Sequence, residues 1–401
     1  MNTSSLTTLN RRLQTLTVFR SLLDDPVVSA LGDYLTKRET GEVAPALSAY
    51  AAFVARLYES GAESLGAYIR QLACDDENCY IRRIGQGLTP SPALAASLDA
   101  ELDILQEVAD LTPERLREGL QWDGFLPLFE TAPEHLRETY RHRTANIGQY
   151  GYGIYARYHM FYIDSKNAIV PVRHPDRTRL SSLVDYKREQ KIIMDNTLAL
   201  LAGKPASNIL LTGDAGTGKS STIKAVVNEL YQQGLRILEV RKEQLREIPA
   251  IWDELSANPL KFILFIDDLS FQKGDDTYSA LKAILEGSVT AKSPNVVIYA
   301  TSNRRHLVKE SFSDRDGDDV HRNDTMQEVL SLSERFGIQI TFQKPDKQTY
   351  LDIVRHLAAE RGVRCPQEEL DALAERFALA RGGRSARAAT QFIDGMVAGQ
   401  D

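Results

Sequence analysis

Ile209-Leu210-Leu211-Thr212-Gly213-Asp214-Ala215-Gly216-Thr217-Gly218-Lys219-Ser220 is the stretch on which the reading of this chain turns. Its first four residues are apolar or β-branched and read as a buried strand. The next eight have the spacing Gly-x-x-x-x-Gly-Lys-Ser, and helix-forming sequence follows. Glycines let the backbone curl so that its N–H groups converge on an anion, and the following helix presents its positive end to the same point. Lys219 then supplies a point charge for the outer phosphates of a nucleotide, and the Ser220 hydroxyl is a ligand for Mg²⁺. Gly213, Asp214, Ala215, Gly216, Thr217, Gly218, Lys219, Ser220 and Ser221 are therefore the expected nucleotide contacts.

Downstream, Phe262-Ile263-Leu264-Phe265-Ile266-Asp267-Asp268 reads as a central strand with two carboxylates at its C-terminal end, where open α/β sheets bind ligands. Asp267 is expected to hold Mg²⁺, through water. A third apolar run, 296–300, ends in Thr301-Ser302-Asn303, whose last amide can hydrogen-bond both a γ-phosphate and a lytic water. Apolar strands are expected at 208–212, 235–240, 261–266, 295–300 and 337–342, each reached through a helix, the first of these at 186–202. Strands alternating with helices mean a parallel sheet with crossover helices. Residues 346–401 read as helices only.

Upstream, 1–147 reads as a helical domain. Thr112-Pro113 and Thr131 with Pro133 look like helix starts. Leu6, Leu9, Leu13, Leu16 and Phe19 recur at helical spacing, as do Leu94, Leu98, Leu102 and Leu105, and each stripe is expected to face a core. Between the two regions, 148–180 is rich in aromatics: Tyr150, Tyr152, Tyr155, Tyr158, Phe161 and Tyr162. Runs at 157–163 and 168–172 around turn formers suggest a β-hairpin. Two readings stand for it: a hairpin fixing the helical domain to the core, or aromatics that stack bases of a single strand.

The 401 residues carry a net charge of −7, which gives no whole-molecule attraction to nucleic acid or anionic membrane. No apolar run is long enough to span a bilayer, and the N-terminus lacks the apolar stretch of a signal peptide. Three cysteines (Cys74, Cys79, Cys365), with no second Cys/His pair beside the first two, do not make a zinc site.

The order of phosphate loop, strand with two acids, Thr-Ser-Asn strand end, Arg335-Phe336-Gly337 and a C-terminal arginine cluster resembles the AAA+ superfamily over about 180–401. That resemblance implies an α/β P-loop AAA+ core at 181–345 with a helical lid at 346–401. It gives Asp268 the position of the acid that polarises the attacking water, usually a glutamate and so one methylene longer. It gives Arg335 the role of a finger reaching a neighbouring subunit's γ-phosphate, and Arg387, or else Arg384, that of a phosphate-touching lid residue. Leu183-Val184-Asp185-Tyr186 looks like the adenine-side entry, with Asp185 replacing a common glycine.

More narrowly, 240–245, 265–271 and 299–307 are similar to an uncharacterised family of bacterial ATP-binding proteins, a domain of unknown function with a helical N-terminal region. The family implies ATP rather than GTP, and a bacterial cytoplasm. Residues 241–247, where threading AAA+ proteins carry an aromatic, are polar apart from leucine, which disfavours polypeptide threading. A charged insertion at 309–326 (Lys309, Arg315, Asp316, Asp318, Asp319, Arg322) is a solvated loop or a contact for a partner or neighbouring subunit.

Two functional readings follow. One is a Mg²⁺-ATPase acting as a homo-oligomer, with Lys219, Asp267, Asp268, Asn303 and Arg335 as its catalytic set, that remodels a protein or nucleic-acid partner engaged through the N-terminal domain. The other is a slowly hydrolysing nucleotide-dependent adaptor or switch.

Overall fold

The computed structural model describes residues 5–271, 276–286, 293–303 and 332–399. The 309–326 insertion and the end of the 299–307 run lie outside them. The chain divides into two compact units, residues 1–157 and 158–401, a division inside the aromatic-rich segment.

The first unit is helical, and its helix starts follow from local chemistry. Asp25 accepts hydrogen bonds from the Val27 and Val28 amides ahead of the helix Pro26–Glu39. Ser91 caps Pro92–Ala109, and Thr112 caps Pro113–Arg117. In all three the proline occupies the first helical position, where its missing N–H costs nothing. Leu98, Leu102 and Leu105 are buried as the stripe requires.

Distant side chains shape two stretches of this unit, and one of them overturns an expected helix start. The start expected at Thr131-Pro133 is irregular chain, and the helix begins at Leu136. Gln106 supplies its cap from another helix, accepting from the Leu136 amide at 2.8 Å and donating to the Glu134 carbonyl at 2.8 Å. The first helix stops at Leu13, although Leu16 and Phe19 are buried. The buried Glu101 carboxylate takes the amides of Thr17, Val18 and Phe19 at 2.9–3.0 Å, so the chain turns there.

The second unit is built on a seven-stranded sheet: β1 (Met160–Ile163), β2 (Ile169–Pro171), β3 (Ile209–Gly213), β4 (Leu235–Glu239), β5 (Lys261–Ile266), β6 (Val296–Ser302) and β7 (Ile338–Phe342). Their order is β2-β1-β4-β5-β6-β3-β7, and every pairing is parallel except the β1–β2 hairpin. This is the α/β P-loop core expected from the sequence. β5 and β6 are buried almost throughout, as the central strands of a parallel sheet covered on both faces are. The hairpin is narrower than the runs at 157–163 and 168–172: Arg157 ends a short helical turn, and its guanidinium lies 3.3 Å from Asp75.

Tyr152, Tyr155 and Phe161 are buried packing groups, whereas Tyr162 is exposed. Beyond β7, the helices Lys347–Glu360, Gln367–Ala380 and Ala386–Ala398 share an apolar cluster around Tyr350, Val354, Ala374 and Ile393.

Candidate functional site

The phosphate loop joins β3 to the helix Lys219–Leu230 in the middle of the sheet. Its conformation needs glycine at Gly213 (φ +140°) and Gly218 (φ +90°), values that side chains rarely adopt. Gly213 is also sterically pinned, because a Cβ there would lie 2.1 Å from the Phe342 carbonyl oxygen of β7.

Lys219 is buried under this loop. Its ammonium donates to the carbonyls of Gly213 (2.7 Å) and Asp214 (2.8 Å) and to Oδ1 of Asn303 (3.0 Å). Burial pushes its pKa below the ordinary lysine value, opposed by the carboxylates of Asp267, Asp214 and Asp268. The Ser220 hydroxyl donates to Oδ1 of Asp267 at 2.6 Å, and the Thr301 hydroxyl donates to the same oxygen.

Asp268 follows with φ +51°, one of three non-glycine residues in the left-handed region among those described. The turn is held in place: its amide donates to the Thr301 hydroxyl at 3.0 Å, and the Leu269 amide donates to the Thr301 carbonyl at 2.7 Å. Such a conformation persists only where surrounding bonds over-determine it. Here it turns the Asp268 carboxylate toward Asn303, whose amide donates to it at 2.7 Å. Lys219, Asn303 and Asp268 thus form one hydrogen-bonded chain across the ends of β3, β6 and β5.

A cavity of about 950 Å³ opens over this chain. Of the residues expected at the site, Ala215, Gly216, Gly218, Lys219, Ser220, Ser221, Asp267, Asp268, Asn303 and Arg387 line it. Gly213, Asp214 and Thr217 shape the loop from behind, with the buried Thr217 hydroxyl donating to the Asp214 carbonyl. The two lid arginines separate clearly. Arg387 lines the cavity and its amide donates to the Gly216 carbonyl at 3.3 Å, whereas Arg384 makes a two-pronged ion pair with Glu375 at 2.7–2.8 Å.

Arg335 does not line the cavity; its guanidinium pairs with Glu286 at 2.5 Å. On the entry side Leu183 lines it and Asp185 does not; the Asp185 carboxylate accepts the Tyr186 amide instead.

Sequence reasoning missed one wall. Arg177, Thr178, Arg179, Ser181 and Ser182 line the cavity, as do Arg361 and Gln391 from the lid. Nothing in their spacing marks them; only the tertiary fold brings them to the loop.

Comparison with known proteins adds a family. Residues 156–400 match the family described as "Protein of unknown function (DUF815)". No curated protein matches significantly. Among solved structures the chain is similar to the Thermotoga maritima RuvB Holliday junction branch migration motor (17% identity, TM-score 0.35, covering 54% of this chain and 63% of that one). It is also similar to C. elegans PCH-2 (18% identity, TM-score 0.37, 52% and 62%) and to the FIGL-1 AAA domain in complex with ADP (15% identity, TM-score 0.34, 50% and 67%). The chain spans less than two thirds of the RuvB and PCH-2 chains. The family match runs from just before β1 to the end of the lid and takes in the loop, both acids, Asn303 and Arg387; the chain belongs to the DUF815 family.

Proposed function

We propose that this chain binds ATP with Mg²⁺ in the phosphate-loop cavity and hydrolyses it within a homo-oligomer. The observation that carries this is the convergence, in one cavity, of the Ser220–Asp267 pair with the Lys219–Asn303–Asp268 chain. Lys219 spends its hydrogen bonds on the loop's own carbonyls and on Asn303, and the oxygens of a triphosphate are stronger acceptors for it.

The donor set fits Mg²⁺. A hydroxyl and a carboxylate 2.6 Å apart are hard oxygen ligands, and among the described residues no three His, Cys, Asp or Glu side chains could hold a metal ion by themselves. An ion held by one or two side chains needs phosphate oxygens and water to complete its shell, which is the habit of Mg²⁺. When bound, it neutralises charge developing on the phosphate oxygens. Asp268 orients the attacking water and takes up its proton, while the Asn303 amide fixes the carboxylate that does so.

Arg335, outside its own subunit's cavity, serves a neighbour's site in this reading, and turnover drives remodelling of a partner in a bacterial cytoplasm. Threading of a polypeptide is not favoured. Residues 242–247 form a short 3-10 turn whose Gln244 side chain donates from Nε2 to the Ile163 and Asp164 carbonyls at 3.1 and 3.2 Å.

The slow-switch reading is favoured by one observation, the short Asp268 side chain already engaged by Asn303. Steady-state ATPase rate against protein concentration, with Lys219→Ala as control, tests both. The motor reading expects a specific rate that climbs with concentration, vanishes in Lys219→Ala and stays flat in Arg335→Ala. A flat, near-zero rate with tight ATP binding selects the switch, and failure to bind ATP at all removes both.

A further inference from the structure

One buried amide joins the missed wall of the cavity to the helix that carries the phosphate-binding side chains. Asn228 lies near the end of Lys219–Leu230 and is 6% exposed. Its Nδ2 donates to two backbone carbonyls, those of Asp176 and Thr178, both at 2.8 Å. Carbonyls only accept, so this assignment of the amide is unambiguous and Oδ1 faces the other way. There it meets Nε2 of His159 at 3.2 Å, which must therefore carry the proton. The His159 ring is itself stacked on Tyr231, with centroids 4.5 Å apart.

Both amide hydrogens and the amide oxygen of Asn228 are thus used. The wall side chain Arg179 adds contacts to the Asn228 carbonyl (3.3 Å) and the Glu229 carboxylate (3.4 Å) of the same helix. Residues 177–179, fixed in this way, line the cavity beside Ser181 and Ser182. The phosphate loop dictates where a triphosphate lies, so the nucleoside end must run along the remaining walls.

We infer that Asn228 is a positioning residue for the nucleoside part of the bound nucleotide: it bolts the 176–179 segment to the phosphate-loop helix, so that wall and loop hold one spacing. This rests on the nucleotide-binding reading above. A residue of this kind sets affinity without touching the reacting phosphate. In Asn228→Asp, which keeps an acceptor for His159 but loses both donors, the Kd and KM for ATP rise about ten- to thirtyfold, the worth of two lost hydrogen bonds. The kcat at saturating ATP stays within about twofold.

Titration of ATP·Mg²⁺ by calorimetry, alongside kcat and KM, reads this directly. Unchanged affinity, or a fall in kcat at constant KM, overturns the inference. Hydrogen exchange on the unmutated full chain with and without ATP·Mg²⁺ supplies an arm that does not depend on a variant folding. The inference expects slowed exchange at both 213–221 and 176–183. Protection confined to 213–221 overturns it while leaving the nucleotide reading intact, and protection at neither segment overturns that reading itself.

Discussion

Replacing Gly213 by alanine tests whether the phosphate loop is locked to the sheet as described. The added Cβ would sit 2.1 Å from the Phe342 carbonyl oxygen and 3.0 Å from its carbon. Ordinary C···O contacts lie near 3.3 Å, so β7 must retreat by about 1.2 Å. Phe342 is poorly placed to retreat, since it is register partner to Gly213, is 1% exposed and packs its ring on Tyr186 at 4.7 Å. A non-glycine at φ +140° costs about 1–3 kcal/mol, and forcing apart a packed contact adds about 1–3 kcal/mol. The second unit should therefore lose about 2–6 kcal/mol.

Gly218→Ala is the matched control. Its φ is +90°, but a Cβ there meets nothing within 4 Å, so only the left-handed backbone term of about 1–2 kcal/mol applies. Urea unfolding without nucleotide, followed by tryptophan fluorescence in a Trp122→Phe background, isolates the second unit, because the buried Trp252 is then the only tryptophan. With a slope of about 3 kcal/mol per molar urea, the Gly213→Ala midpoint falls by on the order of 1 M. A midpoint no lower than that of Gly218→Ala would show that the β3–β7 contact does not constrain the loop.

Three further outcomes follow from the site. Arg387→Ala weakens ATP binding about tenfold or more, the worth of a charge-assisted hydrogen bond, whereas Arg384→Ala leaves it within about twofold because Glu375 already holds that side chain; equal losses in a calorimetric titration would undo the distinction. Asp268→Asn lowers turnover about a hundredfold with ATP affinity nearly kept, and single-turnover rates matching the unmutated chain would take Asp268 out of the chemistry. Burial lowers the His159 pKa below 6.5, helped by Arg236 and opposed by its bond to Asn228. Below pH 6.5 the unfolded chain therefore takes up the proton first, so the second unit loses stability from pH 6.5 down to the lowered pKa, where the loss levels off. Denaturation midpoints for His159→Gln should lack that part of the pH dependence.

What the sequence made legible was whatever lies within a few residues of itself. The loop from Gly213 to Ser220, the acids after β5 and the amide after β6 are local strings on strands whose apolar runs mark their ends. Strands expected at 208–212 and 261–266 form at 209–213 and 261–266. Arg384 is held by Glu375, on the preceding helix, and no local pattern separates it from the cavity-lining Arg387. The cavity wall at 177–182 was invisible for the same reason, its placement resting on Asn228 some fifty residues later. The helix start misread at Thr131 had the right local chemistry and lost to Gln106, a cap supplied from 30 residues away. The runs at 157–163 and 168–172 suggest pairing with each other; that β1 also adds in parallel to β4 is a matter of sheet order, which periodicity does not encode.

That added hairpin has a consequence for solubility. A sheet ending at β4 would leave the five-residue Leu235–Glu239 edge with unpaired amides, a template on which another chain's strand could grow. β1 covers that edge, and the new edge is β2, three residues long and closed by Pro171, which has no N–H to offer. At this edge, copies of the chain that meet in solution are thereby discouraged from adding a strand.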